Sequence, residues 1–510
     1  MFIGDFTARA KKPTDSTGVG LVRRAHAITV KLICLLAMAA LTLATSSCTS
    51  ASGSPSALPP IQLVATTGSV TDYSYPGIGA VLNLPVYLMP VRSPFEIRLT
   101  RTSYSQLITA KRIIPSSKGT RVDLLPEGVV NDFFDLPNFF RIVVRNLSGK
   151  QVLNTEYYFC PVAGKRLAGN AAANSPYPQT CSVNPFALGA VWGIPAGWGA
   201  NAADGTPAQL SPGTYTATVS VSPAYQQLFG ISGQQVRVKV VIRPGTGQPP
   251  VPAPPGDGPT ASELTAWATP PTGPPHVPAD LRPSLRALPA WGVAMTESQQ
   301  AGKPEDLLQF AATVWNAGPV PLEIAGFRPP GSSVMKAYQY FRSTSGVLEG
   351  YAPVGMLDYD SESGHHHWHY HDLAIYQLLS ADKKTVLVSQ KTGFCLANTD
   401  AIDYAMPGAQ WQPGTPALST ACGSASPDAR SVAMSLGVGS GDTYVQTIAG
   451  QSFNVTGIPD GTYYIEIAVN PLNLLYLDGG DAGPAFRQIR IGGKPGARTV
   501  TVMPVGLINS

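Results

Sequence analysis

Twelve prolines fall within the 35 residues from Pro244 to Pro278, with glycine and alanine scattered between them. Proline removes a backbone donor and cannot sit inside a helix or a central strand. Such a stretch has almost nothing to bury and reads as a polyproline-type spacer over residues 244–279. It therefore divides the chain into two folding parts, residues 60–243 and 280–497, followed by a short tail, 498–510. Both parts are β-rich in pattern. FRIVVRN (Phe140–Asn146), YTATVSV (Tyr215–Val221) and VRVKVVI (Val236–Ile242) alternate or run apolar between turn-forming clusters. LLQFAATVWN (Leu307–Asn316), SFNVTGI and YYIEIAV do the same in the second part. Helical periodicity is weak throughout, so the expected fold class is all-β, one β-sandwich-like domain in each part.

Composition narrows the classes further. Only 13% of the 510 residues are charged, about half the usual ~25%. Glycine (51) and proline (48) make up nearly a fifth of the chain. This excludes a coiled coil and a highly charged disordered chain. A net charge of +4 is too dilute to argue for nucleic acid as a partner.

The first 48 residues read as an export signal. Arg9, Lys11, Lys12, Arg23, Arg24 and Lys31 precede the apolar run LICLLAMAALTLA, and Ser46, Ser47 and Cys48 follow it. A positive region, an apolar run of ~7–15 residues and small residues at the exit describe such a signal. The run is shorter than the ~20 apolar residues of a membrane-spanning helix. Cys48 followed by TSASGSPSA resembles a bacterial lipoprotein, with a lipidated cysteine and residues 49–59 as a flexible tether. Thr45 stands where such motifs usually have leucine, so both lipid anchoring and simple secretion remain open. Any membrane attachment is expected only through that lipid.

Export predicts disulfides. Outside the leader the cysteines are Cys160, Cys181, Cys395 and Cys422, two in each part. Three pairings exist, and Cys160–Cys181 with Cys395–Cys422 is the economical one.

The two parts also resemble each other. GTYTATVSVSP (Gly213–Pro223) matches GTYYIEIAVNP (Gly461–Pro471) at five of eleven positions. Upstream, Phe159–Cys160 faces Phe394–Cys395, and GIPAGWGAN (Gly193–Asn201) faces GVGSGDTY (Gly437–Tyr444). Turn-then-strand endings are common in β domains, but features in the same order favour a duplicated domain.

Of seven histidines, five lie between His365 and His371, in GHHHWHYHDLAIYQLL (Gly364–Leu379). Alternate residues share one face of a strand, so His365, His367, His369 and His371 are expected on one side. Three imidazoles at i, i+2 and i+4 can converge on one ion, and neutral imidazole suits copper, zinc, nickel or iron. A solvated histidine-rich stretch is the bland alternative. An affinity tag is excluded by the interleaved aromatics and the position deep in the chain.

HHHWH followed by DLAIYQLL resembles the copper segment of lysyl oxidases. KTGFCL (Lys391–Leu396), GSGDTY (Gly439–Tyr444) and GQSFNVTGIPDGTYYIEIAVNP (Gly450–Pro471) follow in that family's order. The resemblance covers residues 280–495. It implies copper held by His365, His367 and His369 when the register is counted back from Tyr376. Counting from HWHYH instead gives His367, His369 and His371. It further implies a lysine tyrosylquinone made from Lys391 and Tyr444. The reaction would then be oxidation of a primary amine by O2 to an aldehyde, with release of hydrogen peroxide and ammonia. The substrate would be peptidyl lysine or a small amine. Without the resemblance, Lys391 reads as a surface lysine and Tyr444 as a half-buried turn tyrosine. Asp442 would orient its turn or act as a base, and Trp368 would pack.

Under the same alignment the N-terminal part has no histidine, Glu156 stands opposite Lys391, and Ala202 stands opposite Tyr444. It is expected to be a spacer or binding module without metal ligands. Two other functions compete with the oxidase. One is a cell-envelope copper-binding protein with this fold and no oxidase activity. The other is an adhesion or scaffold protein in which the histidines are incidental.

Overall fold

The structure is a computed structural model. It describes residues 60–509 apart from 204, 232, 247–268, 301–302, 344, 363–364, 412–420, 424 and 480–482. The side chains of Gln300, Lys391, Thr392 and Ala421 also stand outside that description. The leader, Cys48, the tether and the centre of the proline-rich segment thus lie outside the described residues.

Among the described residues the chain is all-β, with one short α-helix, Pro223–Phe229. No helix among the described residues is long and apolar enough to cross a membrane. The N-terminal part is built around a seven-stranded sheet. Gly213–Val221 lies in its interior, between Leu136–Asn146 and Gln235–Pro244. Alternation explains the burial: Ala217, Val219 and Val221 face the core, while the threonines and serine between them do not. Two four-stranded sheets complete this part. Its core gathers Leu82, Ile97, Phe139, Phe140, Ile142, Trp192 and Phe229, all essentially inaccessible. Each large apolar side chain buried in this way contributes about 1.5–3 kcal/mol.

The C-terminal part carries a nine-stranded sheet and a six-stranded one. His367–Ser380 is the strand on which the site depends. Its first residues pair with Leu357–Asp360, and Ala374–Ser380 pair with residues 463–469. Val386–Phe394 runs along the opposite edge. Gly461–Val469 buries Tyr463, Ile465 and Ile467 against Tyr376, Leu378, Ile489 and Ile491 in one core cluster. After residue 497 the chain continues as a strand, Ala497–Val502, and then returns to the N-terminal part, where the Leu507 N–H donates to the Tyr104 carbonyl at 2.7 Å.

One arrangement occurs in both parts. Gln151–Phe159, Leu136–Asn146, Gly213–Val221 and Gln235–Pro244 are successive antiparallel neighbours. Val386–Phe394, His367–Ser380, Gly461–Val469 and Ala485–Lys494 follow the same order and directions. In each case the cysteine directly after the first of these strands forms a disulfide. The pairs are Cys160–Cys181 and Cys395–Cys422, the economical pairing.

Candidate metal centre

The histidine run changes conformation at its start, and that change creates the cluster. The His365 N–H closes a turn on the Glu362 carbonyl, and His366 takes a left-handed φ of 56°. Histidine tolerates this region better than branched residues do. The His366 carbonyl accepts from the Ala425 N–H at 2.7 Å, which ties the turn to the loop after Cys422. From His367 onward the chain is extended, with Asp360 opposite His367 and Asp358 opposite His369.

His365, His367 and His369 each offer one ring nitrogen, and these nitrogens all lie within 4.8 Å of one another. His365 Nδ1 is 3.2 Å from His369 Nε2. Metal–nitrogen bonds of about 2.0–2.1 Å place two ligand nitrogens at roughly that spacing. His365 Nε2 sits 3.2 Å from the Ala449 carbonyl, which can only accept, so Nε2 is the donor nitrogen and Nδ1 the one turned to the cluster. His369 Nδ1 stands 3.4 Å from Asp360 Oδ2, which leaves Nε2 facing the cluster. The same carboxylate oxygen is 3.6 Å from His365 Nδ1. His367 Nε2 is buried with no hydrogen-bond partner among the described residues. A buried polar nitrogen without a partner costs free energy unless something binds it. Burial, reinforced by the neighbouring histidines, lowers the His367 pKa to about 4 and that of His369 to about 2. Both are neutral near pH 7, the state in which imidazole ligates a metal. The donor set, its spacing and the orphaned nitrogen all fit a late first-row transition metal such as copper.

His371 does not join this group. It lies one residue past Tyr370, the last residue paired with Leu357–Asp360, and just before Asp372, whose φ is 57°. His371 is exposed and lies 3.2 Å from Asp358 instead. Of the two registers read from the sequence, the geometry gathers His365, His367 and His369.

Tyr444 closes the cluster. It ends the strand Ser440–Tyr444, paired through Ala312 with the long strand Lys303–Asn316. Its ring lies against His365, centroids 5.9 Å apart at 24°. Its hydroxyl is 3.4 Å from His369 Nε2 and accepts the Cys395 N–H at 2.9 Å. Burial, with Asp442 nearby, pushes the phenol pKa well above its usual value. The tyrosine is fully enclosed, unlike the half-buried turn residue that local sequence alone suggests. Asp442 is 2% exposed, and its carboxylate accepts the Ala397 N–H. Asp442 and Tyr444 therefore both dock on the stretch from Cys395 to Ala397.

Lys391 lies in the neighbouring strand Val386–Phe394, opposite Ile375, and its side chain is outside the description. Two residues on, Gly393 packs directly against the cluster, where an added Cβ would meet His369 Cβ at 2.8 Å. Cys395, one residue beyond Phe394, is joined to Cys422. Trp368 is buried and donates to the Ser426 carbonyl at 3.0 Å, a packing role.

Residues 353–476 match the lysyl oxidase family model. The lysyl-oxidase-like segment contains the whole histidine cluster, Lys391, both cysteines of the second disulfide and Tyr444. No curated protein matches the chain. Sequence reasoning passed over Asp360 and Gly393. The only signal for Asp360 was an acidic residue five positions ahead of the first ligand histidine, and nothing marked Gly393 apart from its place inside KTGFCL.

Proposed function

We propose that this protein is an exported, copper-dependent amine oxidase of the lysyl oxidase type, acting on peptidyl lysine or a small primary amine. The observation that supports it most is the meeting of the Tyr444 hydroxyl with His369 Nε2, inside a three-histidine group of metal-binding spacing. The family match over residues 353–476 and the position of Lys391 in KTGFCL support it further. Two disulfides fit an oxidising compartment. Cys48 would carry a lipid or mark the end of the leader.

In this reading His365, His367 and His369 hold the copper, and Lys391 and Tyr444 are the precursors of the lysine tyrosylquinone. Those two groups supply the redox chemistry by which an amine, O2 and water become an aldehyde, ammonia and hydrogen peroxide. The protein residues do the rest. Asp360 fixes the His369 ring orientation, as a carboxylate behind a metal-bound imidazole commonly does. The Cys395 N–H orients the phenol oxygen. Burial of Tyr444 and Asp442 excludes bulk water from the ring, and the second disulfide anchors the strand that carries Lys391. The recurring strand order supports reading the N-terminal part as a copy of the same fold, with Glu156 and Ala202 in place of Lys391 and Tyr444.

Hydrogen peroxide release from a simple alkylamine tests the function. The copper-loaded protein should release peroxide and aldehyde in equal amounts, and Tyr444→Phe should release none. Full copper occupancy without peroxide from any primary amine would leave a copper-binding protein instead.

A further inference from the structure

The histidine-free N-terminal part grips the segment behind Tyr444. The Leu188 and Gly189 N–H groups both donate to the Ile402 carbonyl, at 2.6 and 3.1 Å, and the Tyr404 N–H donates to the Gly189 carbonyl at 2.9 Å. Gly189 is required by this close approach, because an added Cβ would sit 2.3 Å from Asp403 Oδ1. A second clamp holds Trp411. Its ring stacks on Tyr177 with centroids 6.2 Å apart, beneath the Arg98 guanidinium at 5.3 Å. Phe186 shares one apolar cluster with Trp291, Trp315 and Ile402.

Between these clamps runs a buried chain of polar groups. Asn184, 1% exposed, donates its amide to Thr313 Oγ1 at 2.8 Å. Thr313 Oγ1 is 2.8 Å from Thr443 Oγ1, and the Thr443 hydroxyl donates to Asp400. The Asp400 carboxylate also accepts from the Asn184 side chain and the Val183 N–H. The remaining Asn184 oxygen accepts the Phe186 N–H at 3.0 Å. Asn184 thereby uses both its donors and its acceptor, and Thr443 is the residue directly before Tyr444.

We propose that Asn184 is a positioning residue for Tyr444. Through Asp400 and Thr443 it fixes the strand Ser440–Tyr444, and with it the reach of the phenol to His369 and to the Cys395 N–H. A fully paired buried network admits one arrangement. Any slip of this strand would leave a buried carboxylate and an amide unpaired, which is costly in a low-dielectric interior. The N-terminal part is thus a component of the oxidase site and not only a spacer. This role rests on Tyr444 being the reactive tyrosine of the proposed function.

Full-length, copper-loaded Asn184→Leu, Thr443→Val and Thr443→Ser test it. Leucine nearly matches asparagine in size and removes all its hydrogen bonds, while serine keeps the hydroxyl that valine loses. Asn184→Leu and Thr443→Val should lower kcat about tenfold or more with KM within about twofold, since small misplacements of a reacting group are expensive. Copper content should be unchanged. Exchange of the Cys395 amide hydrogen should quicken about tenfold in both, because its acceptor is the Tyr444 hydroxyl. Thr443→Ser should behave as wild type in kcat and in exchange. Wild-type exchange of the Cys395 amide in Asn184→Leu, or equal effects of serine and valine at position 443, would overturn the proposal. If Asn184→Leu does not fold, the Thr443 pair decides. If the wild-type protein oxidises no amine, the oxidase reading falls, and amide exchange still decides whether Asn184 positions Tyr444.

Discussion

The Tyr444 hydroxyl accepts a hydrogen bond from the Cys395 backbone nitrogen at 2.9 Å, joining the end of one strand to the disulfide that follows another. Removing the oxygen leaves a buried N–H without a partner, and such a loss costs about 1–3 kcal/mol. Tyr444→Phe should therefore lose about that much unfolding free energy, read from a lower urea midpoint at unchanged m. Its copper content should stay at the wild-type value, because the phenol is not one of the three clustered ligands.

The ligand set is separable by single substitutions. His367→Ala and His369→Ala should abolish stoichiometric copper binding measured by titration calorimetry. His371→Ala should bind as wild type, since that ring is exposed and turned toward Asp358. Loss of binding in His371→Ala alone would restore the alternative register.

Asp360 stands 3.4 Å from His369 Nδ1 and 3.6 Å from His365 Nδ1. Replacing such a carboxylate typically lowers metal affinity by about 10–100-fold. Asp360→Asn should show a loss in that range in competition with a copper chelator, with unchanged stoichiometry.

Gly393 leaves no room for a side chain, since its Cβ would approach His369 Cβ to 2.8 Å. Overpacking of this kind costs about 1–3 kcal/mol. Gly393→Ala should lower the thermal midpoint accordingly and weaken copper binding. A variant that binds copper as wild type would show that the strands part without disturbing the ligand.

Much of this was legible in the sequence because the signals were local. Period-two patterns such as YYIEIAV identify strands, and the proline-rich segment falls between the last strand of one group of sheets and the first strand of the other. Two cysteines in each part were enough for the pairing. The histidine face was only partly legible. Alternation predicts four histidines on one side, but it does not show that His371 stands exposed beside Asp358, apart from the cluster of the other three. The places of Asp360 and Gly393 come from strand pairing, Asp360 opposite His367 and Gly393 in the strand beside His369, and that of Asn184 from a side-chain contact across the chain. Asn184 meets Thr313 across 129 residues, a relationship no local pattern encodes. For the same reason nothing in the sequence of the N-terminal part, read as a spacer or binding module, pointed to Asn184 reaching Thr313 beside Thr443.

The most direct test of the central claim is chemical. The full-length protein is loaded with copper in air, treated with phenylhydrazine and mapped by peptide mass. A copper-dependent oxidase of this type predicts a coloured adduct on a crosslinked peptide containing both Lys391 and Tyr444. Full copper occupancy with no adduct, and Lys391 and Tyr444 recovered unmodified on separate peptides, would contradict it.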